Sequence, residues 1–318
     1  MKRILVILLT YGEPDNHRFR EHYRYSHSIL RRLTLRVAKI PRILLPFIAF
    51  RRAWDRVREW KNHDVVSPLE SITGDQALAL GRELGENFDI QVAYEFRSPM
   101  LVDKVAELRK NPPQKIVLVP LYTVDSDLTS GISKTDLLWE TLRNGDLPCP
   151  LVQVSQFNED PEFVRLMGDF FLRKLNAVGW KEVNSKEAGL ILGCHGTVLR
   201  GPPGVDTGLE AFEGLYRNLA GRLAPLFRDC SVGWMNHVRG GPWTQPDLGT
   251  AIQGMALKGI KKIVYFPFGF LADANETTHE SRHEFERFPG LEVLHLPCLN
   301  KDPAFIRYLA ARVRAAAL

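Results

Sequence analysis

Short apolar runs recur along the chain, each followed by a stretch with helical patterning. In the first half they are Arg3–Thr10, Phe88–Tyr94, Lys115–Pro120 and Leu151–Phe157; in the second, Ala188–His195, Ser231–Asn236, Lys261–Pro267 and Leu291–Leu296. Their near-continuous apolar character, in place of strict alternation, is what strands covered on both faces show. Between them, Leu69–Asn87, Met100–Lys110, Pro161–Val178, Gly208–Leu226 and Leu248–Lys258 read as helices, and Pro303–Ala316 as a closing one. Alternating β and α elements imply parallel sheets with helices on both faces. Two groups of four strands therefore predict an α/β protein of two similar Rossmann-like lobes, each a four-stranded parallel sheet flanked by helices. The first lobe spans 1–157 and the second 158–318, the latter including the closing helix 303–316. Ligands of such folds sit at the carboxyl ends of the strands, so a residue just after a strand is a site candidate by position alone.

One stretch departs from this pattern. From His22 to Trp54 there is no Asp or Glu but eight Lys or Arg residues, interleaved with bulky apolar ones from Ile29 to Phe50. An acid-free, basic and amphipathic segment has the composition of an interfacial membrane element. Each cation near an anionic leaflet contributes roughly 1 kcal/mol. The alternative is a helical hairpin packed on the body with its cations solvated. The membrane-facing reading is preferred because so many apolar side chains need cover. The longest apolar run, Ile43–Phe50, is broken by Pro46, and none approaches the roughly 18–20 residues of a spanning helix. Met1-Lys2-Arg3 with Ile4–Thr10 reads as a first buried strand, not a signal peptide, since the run is short and no small-x-small site follows.

Composition adds bounds. With 318 residues, 45% hydrophobic and 25% charged, the chain is a globular protein of one large domain or two lobes. The net charge of +5 points to anionic partners without choosing among nucleic acid, phospholipid and a carboxylated small molecule. Four cysteines, Cys149, Cys194, Cys230 and Cys298, stand far apart with no Cys-x-x-Cys pair. Zinc-ribbon and thioredoxin-type readings therefore fail, nothing suggests a disulfide framework, and a reducing cytoplasm is the expected home.

Two constellations carry candidate chemistry. Gly193-Cys194-His195-Gly196-Thr197 follows a strand core and puts His195 at its carboxyl end, beside a glycine that lets a ligand approach the backbone. In Asn275–Glu284, helical spacing sets Glu276, Glu280 and Glu284 on one stripe with His279 and His283 alongside. Such a stripe is commonly a solvated face; after a site-forming loop it also suits a path for a hydrated divalent cation. His279-Glu280-Ser281-Arg282-His283 matches the zinc-protease pattern His-Glu-x-x-His, but its intervening residues are polar and no third ligand follows. Neither a phosphate-binding Gly-x-x-x-x-Gly-Lys-Ser/Thr nor a Gly-x-Gly-x-x-Gly after the first strand is present, which argues against a nucleotide cofactor. Gly201-Pro202-Pro203-Gly204 and Gly240-Gly241-Pro242 are turn chemistry. Thr129–Ser133 reads as a small-residue loop, either an anion site or a plain turn.

In order, several segments resemble the ferrochelatase family along nearly the whole chain. Leu8–Pro14 is similar to its opening strand and Tyr/Leu-Gly-x-Pro turn, and Ser67-Pro68-Leu69 with Thr73 and Gln76 to its Ser-Pro-Leu…Thr…Gln segment. Pro120–Ser133 resembles its Pro-Leu-Tyr…Ser…Thr-Gly-Ser loop. His195-Gly196 matches Ser-x-His-Gly, with Gly193 for the serine. Phe270–Glu276 resembles Phe-Val-x-Asp-His-x-Glu, with Ala274 for the histidine. Cys298–Ile306 resembles the ending Cys-Leu-Asn…Pro-x-Phe-Ile. A Met-Arg-Tyr segment is reduced to Glu95-Phe96-Arg97-Ser98-Pro99, with Arg97 as counterpart of its basic residue, and Gly201–Thr207 replaces a Gly-Asp-Pro-Tyr segment.

The resemblance implies a chelatase-type fold and an enzyme that inserts Fe²⁺ into a porphyrin to make haem. It implies His195 and Glu276 on opposite sides of the insertion site. Glu280 and Glu284 would follow on the acidic ladder of a π-type helix, the four together handling metal. Tyr11, Arg97, Tyr122, Ser126, Thr129 and Ser130 are the implied porphyrin contacts. Iron is then a substrate; no permanently bound cofactor, no iron–sulfur cluster and no nucleic-acid partner are expected. Ile40–Pro46 resembles the lipophilic lip of members that take protoporphyrin, which favours protoporphyrin IX over coproporphyrin III. The lip also implies a cytoplasmic enzyme in peripheral contact with the inner membrane face. The alternatives are a sirohydrochlorin or cobalt-type chelatase, whose carboxylate-rich substrate the apolar lip disfavours, and a non-catalytic porphyrin or haem binder. Oligomeric state is not legible.

Overall fold

The structure, a computed structural model, describes residues 3–38, 40–180, 182–236 and 242–318. Met1 and Lys2, Lys39 of the acid-free segment and Gly240-Gly241 of the glycine turn lie outside the described residues. Strands β1 (Ile4–Thr10), β2 (Phe88–Tyr94), β3 (Lys115–Pro120) and β4 (Leu151–Gln153) form a parallel sheet in the order β2-β1-β3-β4. Strands β5 (Gly189–His195), β6 (Asp229–Met235), β7 (Lys262–Phe266) and β8 (Glu292–His295) repeat that topology as β6-β5-β7-β8. The first strand of each half is central, and Leu5–Leu9 and Leu190–Leu192 are buried throughout. Covering such a strand on both faces is favourable by roughly 1.5–3 kcal/mol for each large aliphatic side chain, which is why these runs do not alternate with polar residues.

The helices are α1 (Phe19–Ile29), α2 (Leu45–His63), α3 (Leu69–Leu84), α4 (Leu101–Leu108), α5 (Ser130–Asn144), α6 (Pro161–Ala177), α7 (Glu182–Glu187), α8 (Leu209–Leu223), α9 (Leu248–Leu257), α10 (Ser281–Glu286) and α11 (Pro303–Ala317). Two expectations need correction. Residues 130–133 are not loop: they open α5, whose pattern is obscured because Leu138, Trp139 and Leu142 face outward and blur the apolar stripe. The strand expected over Leu151–Phe157 stops at Gln153; Phe157 instead opens a 3₁₀ turn that plugs its ring fully into the core.

The acid-free segment is a helical hairpin. Helix α1 runs on through a π turn, Leu30–Thr34, and α2 packs against it with Leu45, Ala49, Ala53, Val57 and Trp60 inward. Pro46 does not break the apolar run so much as start a helix. It occupies the first turn of α2, where a missing N–H leaves no bond unmade. Ile43, Leu44, Phe47, Phe50 and Trp54 remain exposed along one rim, Ile43 by 78% and Phe47 by 71%. Among the described residues, no helix is long and apolar enough to cross a membrane.

The closing helix belongs to the second lobe by sequence and packs on the first. Helix α11 lies against α3 and β3, Lys115 Nζ donates to the Ala317 carbonyl at 2.8 Å, and Arg314 bonds the Glu83 carbonyl. One hydrophobic core runs through both sheets, from Val6 and Leu8 through Leu190 and Leu192 to Phe305 and Leu309.

Candidate active site

The carboxyl ends of β1, β2, β3, β5 and β7 supply the site. Strand β5 delivers His195 as its last residue. Beyond β7 the chain turns through 267–275 into a π-helical turn, Glu276–Glu280, which continues as α10. His195 Nε2 and Glu276 Oε1 face each other at 3.6 Å, with side chains 32% and 15% exposed. His195 Nδ1 lies 2.6 Å from the Gly196 carbonyl. A carbonyl can only accept, so Nδ1 donates that bond and Nε2 is the ring nitrogen turned toward Glu276. A gap of 3.6 Å does not admit a flat macrocycle, so standing on its two faces requires the two side chains to part.

Asp273 braces the loop that carries Glu276. It accepts from Cys298 N at 3.1 Å, Asn300 Nδ2 at 2.7 Å and Thr277 Oγ1 at 3.1 Å. Gln76 of α3 ties to the same loop by donating to the Leu271 carbonyl at 3.4 Å, and to the Asn300 carbonyl beside it at 2.9 Å. From the other lobe, Glu13 Oε2 accepts the Asn275 backbone N–H at 3.1 Å and the Ser67 hydroxyl. Asn275 Nδ2 in turn donates to Glu280 Oε1 at 2.6 Å.

The π turn carries the start of the acidic stripe. Glu276 and Glu280 share it, but Glu284 follows on α10 and is paired with Arg287 at 2.5 Å. The structure brings His195 and Glu276 together, keeps Glu280 one turn away, and pairs Glu284 with Arg287 on the helix that follows. Among the described residues, no three His, Cys, Asp or Glu side chains stand close enough to hold a metal. The His-Glu-x-x-His pair is no exception. His279 bonds Glu59 at 3.2 Å and His283 lies 3.3 Å from Glu286, with the ring of His63 beside both.

The expected porphyrin contacts divide. Tyr11 and Tyr122 pack with ring centroids 4.8 Å apart; Tyr11 donates to the Leu128 carbonyl at 2.8 Å, while the buried Tyr122 hydroxyl has no protein partner. Thr129 Oγ1 accepts from Ser126 N at 2.8 Å and donates to the Val124 carbonyl at 3.0 Å, so these residues hold their own loop. Ser130 is fully buried at the start of α5, its hydroxyl unpartnered. Arg97 is already engaged: it lies 2.7 Å from Glu70 and 3.4 Å from Glu21, and donates to the Glu13 carbonyl at 2.8 Å.

Three acids of the first lobe, Glu13, Glu70 and Glu95, were not singled out in the sequence as site residues. Burial, and then the charge of Glu276, push the Glu13 carboxyl up. Burial raises Glu70 to about 7 against the pull of Arg97, and raises Glu95 to about 7 against that of Arg32. Burial lifts the Tyr11 hydroxyl, with Glu276 and Glu95 adding to it. Glu95 directly follows β2, which is the one positional signal that could have found it.

Residues 3–317 match the protein-family model described as Ferrochelatase. A ferrochelatase of Synechococcus sp. (strain RCC307) is 25% identical over 98% of this chain and 81% of its own length. One of Geotalea uraniireducens (strain Rf4) is 26% identical over 97% of this chain and 96% of its own. Among solved structures, SirB from Bacillus subtilis with Fe³⁺ superposes with a TM-score of 0.53 at 11% identity, covering 99% of this chain and 96% of that one. That last likeness is one of fold.

Proposed function

Because the chain belongs to the ferrochelatase family, we propose that it inserts Fe²⁺ into protoporphyrin IX, with coproporphyrin III as the second substrate to test. The observation that carries the reading is the facing pair of His195 and Glu276 at the converging carboxyl ends of the two sheets. Insertion removes two pyrrole protons and replaces water around the metal with nitrogen. A planar macrocycle hides the nitrogen lone pairs, and a site that holds it bent exposes them. Strain of about 1–5 kcal/mol is offset by remote contacts. The tyrosines 11 and 122 and the apolar rim of α2 supply surfaces for such contacts.

In this reading His195 works on one face of the ring and Glu276 on the other, one presenting metal and the other accepting protons. Glu280, joined to Glu276 by the π turn and to Asn275 by its hydrogen bond, lies on the way to solvent. Protoporphyrin is favoured because the exposed Ile43, Phe47 and Phe50 match an apolar periphery better than a carboxylated one. The same rim supports peripheral contact with a membrane face.

Anaerobic incubation with Fe²⁺ or Zn²⁺, followed by absorbance, tests the proposal with protoporphyrin, coproporphyrin and sirohydrochlorin in parallel. Turnover of protoporphyrin fastest is expected. Turnover of sirohydrochlorin alone would make the chain a chelatase of that other class. Tight porphyrin binding without any insertion would make it a binding protein.

A further inference from the structure

Glu13 fills the open position of the Tyr/Leu-Gly-x-Pro turn that follows β1. The turn aims it. Gly12 takes the left-handed conformation at φ +72°, where a Cβ would strike the Tyr94 ring, and Arg97 Nη1 donates to the Glu13 carbonyl at 2.8 Å. The side chain then reaches the second lobe. Its Oε2 accepts both the Ser67 hydroxyl and, at 3.1 Å, the Asn275 backbone N–H. Ser67 and Asn275 are only 3% and 4% exposed, so removing this one acceptor would strand two donors away from water.

Asn275 is the residue on which the acidic turn hangs. It directly precedes Glu276, and its Nδ2 donates to Glu280 Oε1 at 2.6 Å. The first N–H groups of a helical turn have no acceptor within its own backbone. For Ala274 the Thr277 hydroxyl oxygen supplies one from inside the turn, at 3.0 Å. For Asn275 the acceptor is Glu13, from the other lobe. Thr123 also ties this loop to the first lobe by donating to the Gly269 carbonyl at 3.0 Å, and Gln76 does so at Leu271, but both lie farther back along the chain. Where the resemblance puts a histidine, Ala274 packs in an apolar cluster with Leu69 and Ile72. That position offers the loop no side-chain hydrogen bond, and the polar brace beside Glu276 comes across the lobes instead.

We propose that Glu13 is a positioning residue for metal insertion: by accepting the Asn275 N–H across the lobes, it fixes the turn from which Glu276 and Glu280 project. The inference rests on the metal-insertion reading and gives Glu13 no bond-making step, since it acts through Asn275. His195 and Glu276 both come from the second lobe, at the end of β5 and beyond β7, whereas Tyr11 and Tyr122 follow β1 and β3 of the first. A tie beside Glu276 therefore sets the reacting pair in register with the first-lobe surfaces that face the ring. Such register matters, because a misplacement of about 1 Å can cost roughly 100-fold in rate.

The test uses the full chain and Zn²⁺ insertion, comparing the wild type with Glu13→Met, Glu13→Gln and Ser67→Ala. Methionine fills the space of the glutamate without an acceptor, whereas glutamine keeps the accepting oxygen and loses only the charge. Porphyrin affinity is read separately by fluorescence quenching, and thermal unfolding verifies the fold. Glu13→Met should lower kcat about tenfold or more, with porphyrin affinity within about threefold of wild type. Glu13→Gln should recover most of that loss, which a requirement for the carboxylate's charge or proton would not allow. Ser67→Ala, which takes away the second donor holding Oε2, should lower kcat by a smaller factor. A folded Glu13→Met with intact kcat overturns the proposal, and so does a Glu13→Gln as slow as Glu13→Met. A change confined to porphyrin affinity overturns it too, because the residue would then serve binding alone. Should Glu13→Met not fold, an unchanged kcat in Ser67→Ala overturns it. A wild type that inserts no metal overturns the functional reading itself, whereas an active wild type with unaffected variants overturns only the role of Glu13.

Discussion

A side chain at position 193 would displace Tyr265, because a Cβ built there runs into the tyrosine's hydroxyl and ring. That accounts for glycine where the resemblance puts serine: the space is already filled from β7. Gly196 has a similar reason. A Cβ there would strike Asn236, whose Nδ2 donates to the Thr244 carbonyl at 2.9 Å. The glycine beside His195 thus makes room for an asparagine. Gly193→Ser should cost about 1–3 kcal/mol through overpacking, read as a lower urea midpoint, and trimming Tyr265 to Leu in the same chain should restore part of it. His195→Ala should lower insertion by about 100-fold or more, the range of a lost acid–base group, while porphyrin affinity stays within about threefold. Retained turnover would remove His195 from the chemistry. His195 was legible from position alone. Glu276 was legible only through the motif around it. Glu95 and Glu13 were not, because a lone buried acid leaves no periodicity and only the fold reveals that water has been excluded from it.

Helices and strands were legible where burial dictates their pattern. Strand β1 reads correctly because every residue from Leu5 to Leu9 is buried. Helix α5 did not, because its exposed Leu138, Trp139 and Leu142 break the stripe that marks a helix. The acidic stripe was legible as spacing but its π turn was not: the wider turn sets residues four apart more nearly in line than an α-helix does, while Glu284 on α10 pairs with Arg287. Helix α6 shows how an end is secured. Asp160 caps it by accepting the Glu162 N–H at 2.9 Å, and takes Tyr308 and Arg312 of α11, each at 2.7 Å. Burial pushes this carboxyl up, but the bonds from Tyr308, the Glu162 N–H and Arg312 outweigh it, leaving it below its ordinary 3.8. A carboxyl depressed on folding stabilises fully above its unfolded value and loses that contribution as pH falls through its folded one. Asp160→Asn should therefore cost about 1–2 kcal/mol at pH 7. The difference from wild type should shrink as denaturant unfolding is repeated below about pH 3.8; a gap independent of pH would assign the loss to shape and not to charge.

The two-lobe repeat was legible in the spacing of eight strands, but the return of α11 onto the first lobe was not, since its apolar face fits either side of the molecule. The acid-free segment folds as the helical hairpin that was its alternative reading, and leaves the membrane-facing reading to be tested. Its inner face, Leu45, Ala49, Ala53 and Trp60, closes a hairpin, and its outer face stays open. On that outer face Ile43, Phe47, Phe50 and Trp54 stand among the exposed Arg42, Arg51 and Arg52. Apolar groups flanked by cations suit the boundary between headgroups and acyl chains. Each arginine contributes about 1 kcal/mol at an anionic surface and the attraction decays over about 8 Å at physiological salt. Two signatures follow, and they separate a membrane face from a merely sticky one. Sedimentation with phosphatidylcholine vesicles should increase when phosphatidylglycerol is included, and the increment should fall as salt is raised. Replacing Phe47 and Trp54 together by serine should weaken binding to both vesicle types by about tenfold or more, since two large side chains lose roughly 1.5–3 kcal/mol each, whereas the salt dependence should persist because the arginines remain. Pelleting that ignores lipid charge, salt and both substitutions would detach this rim from membranes and leave the porphyrin periphery as what it covers.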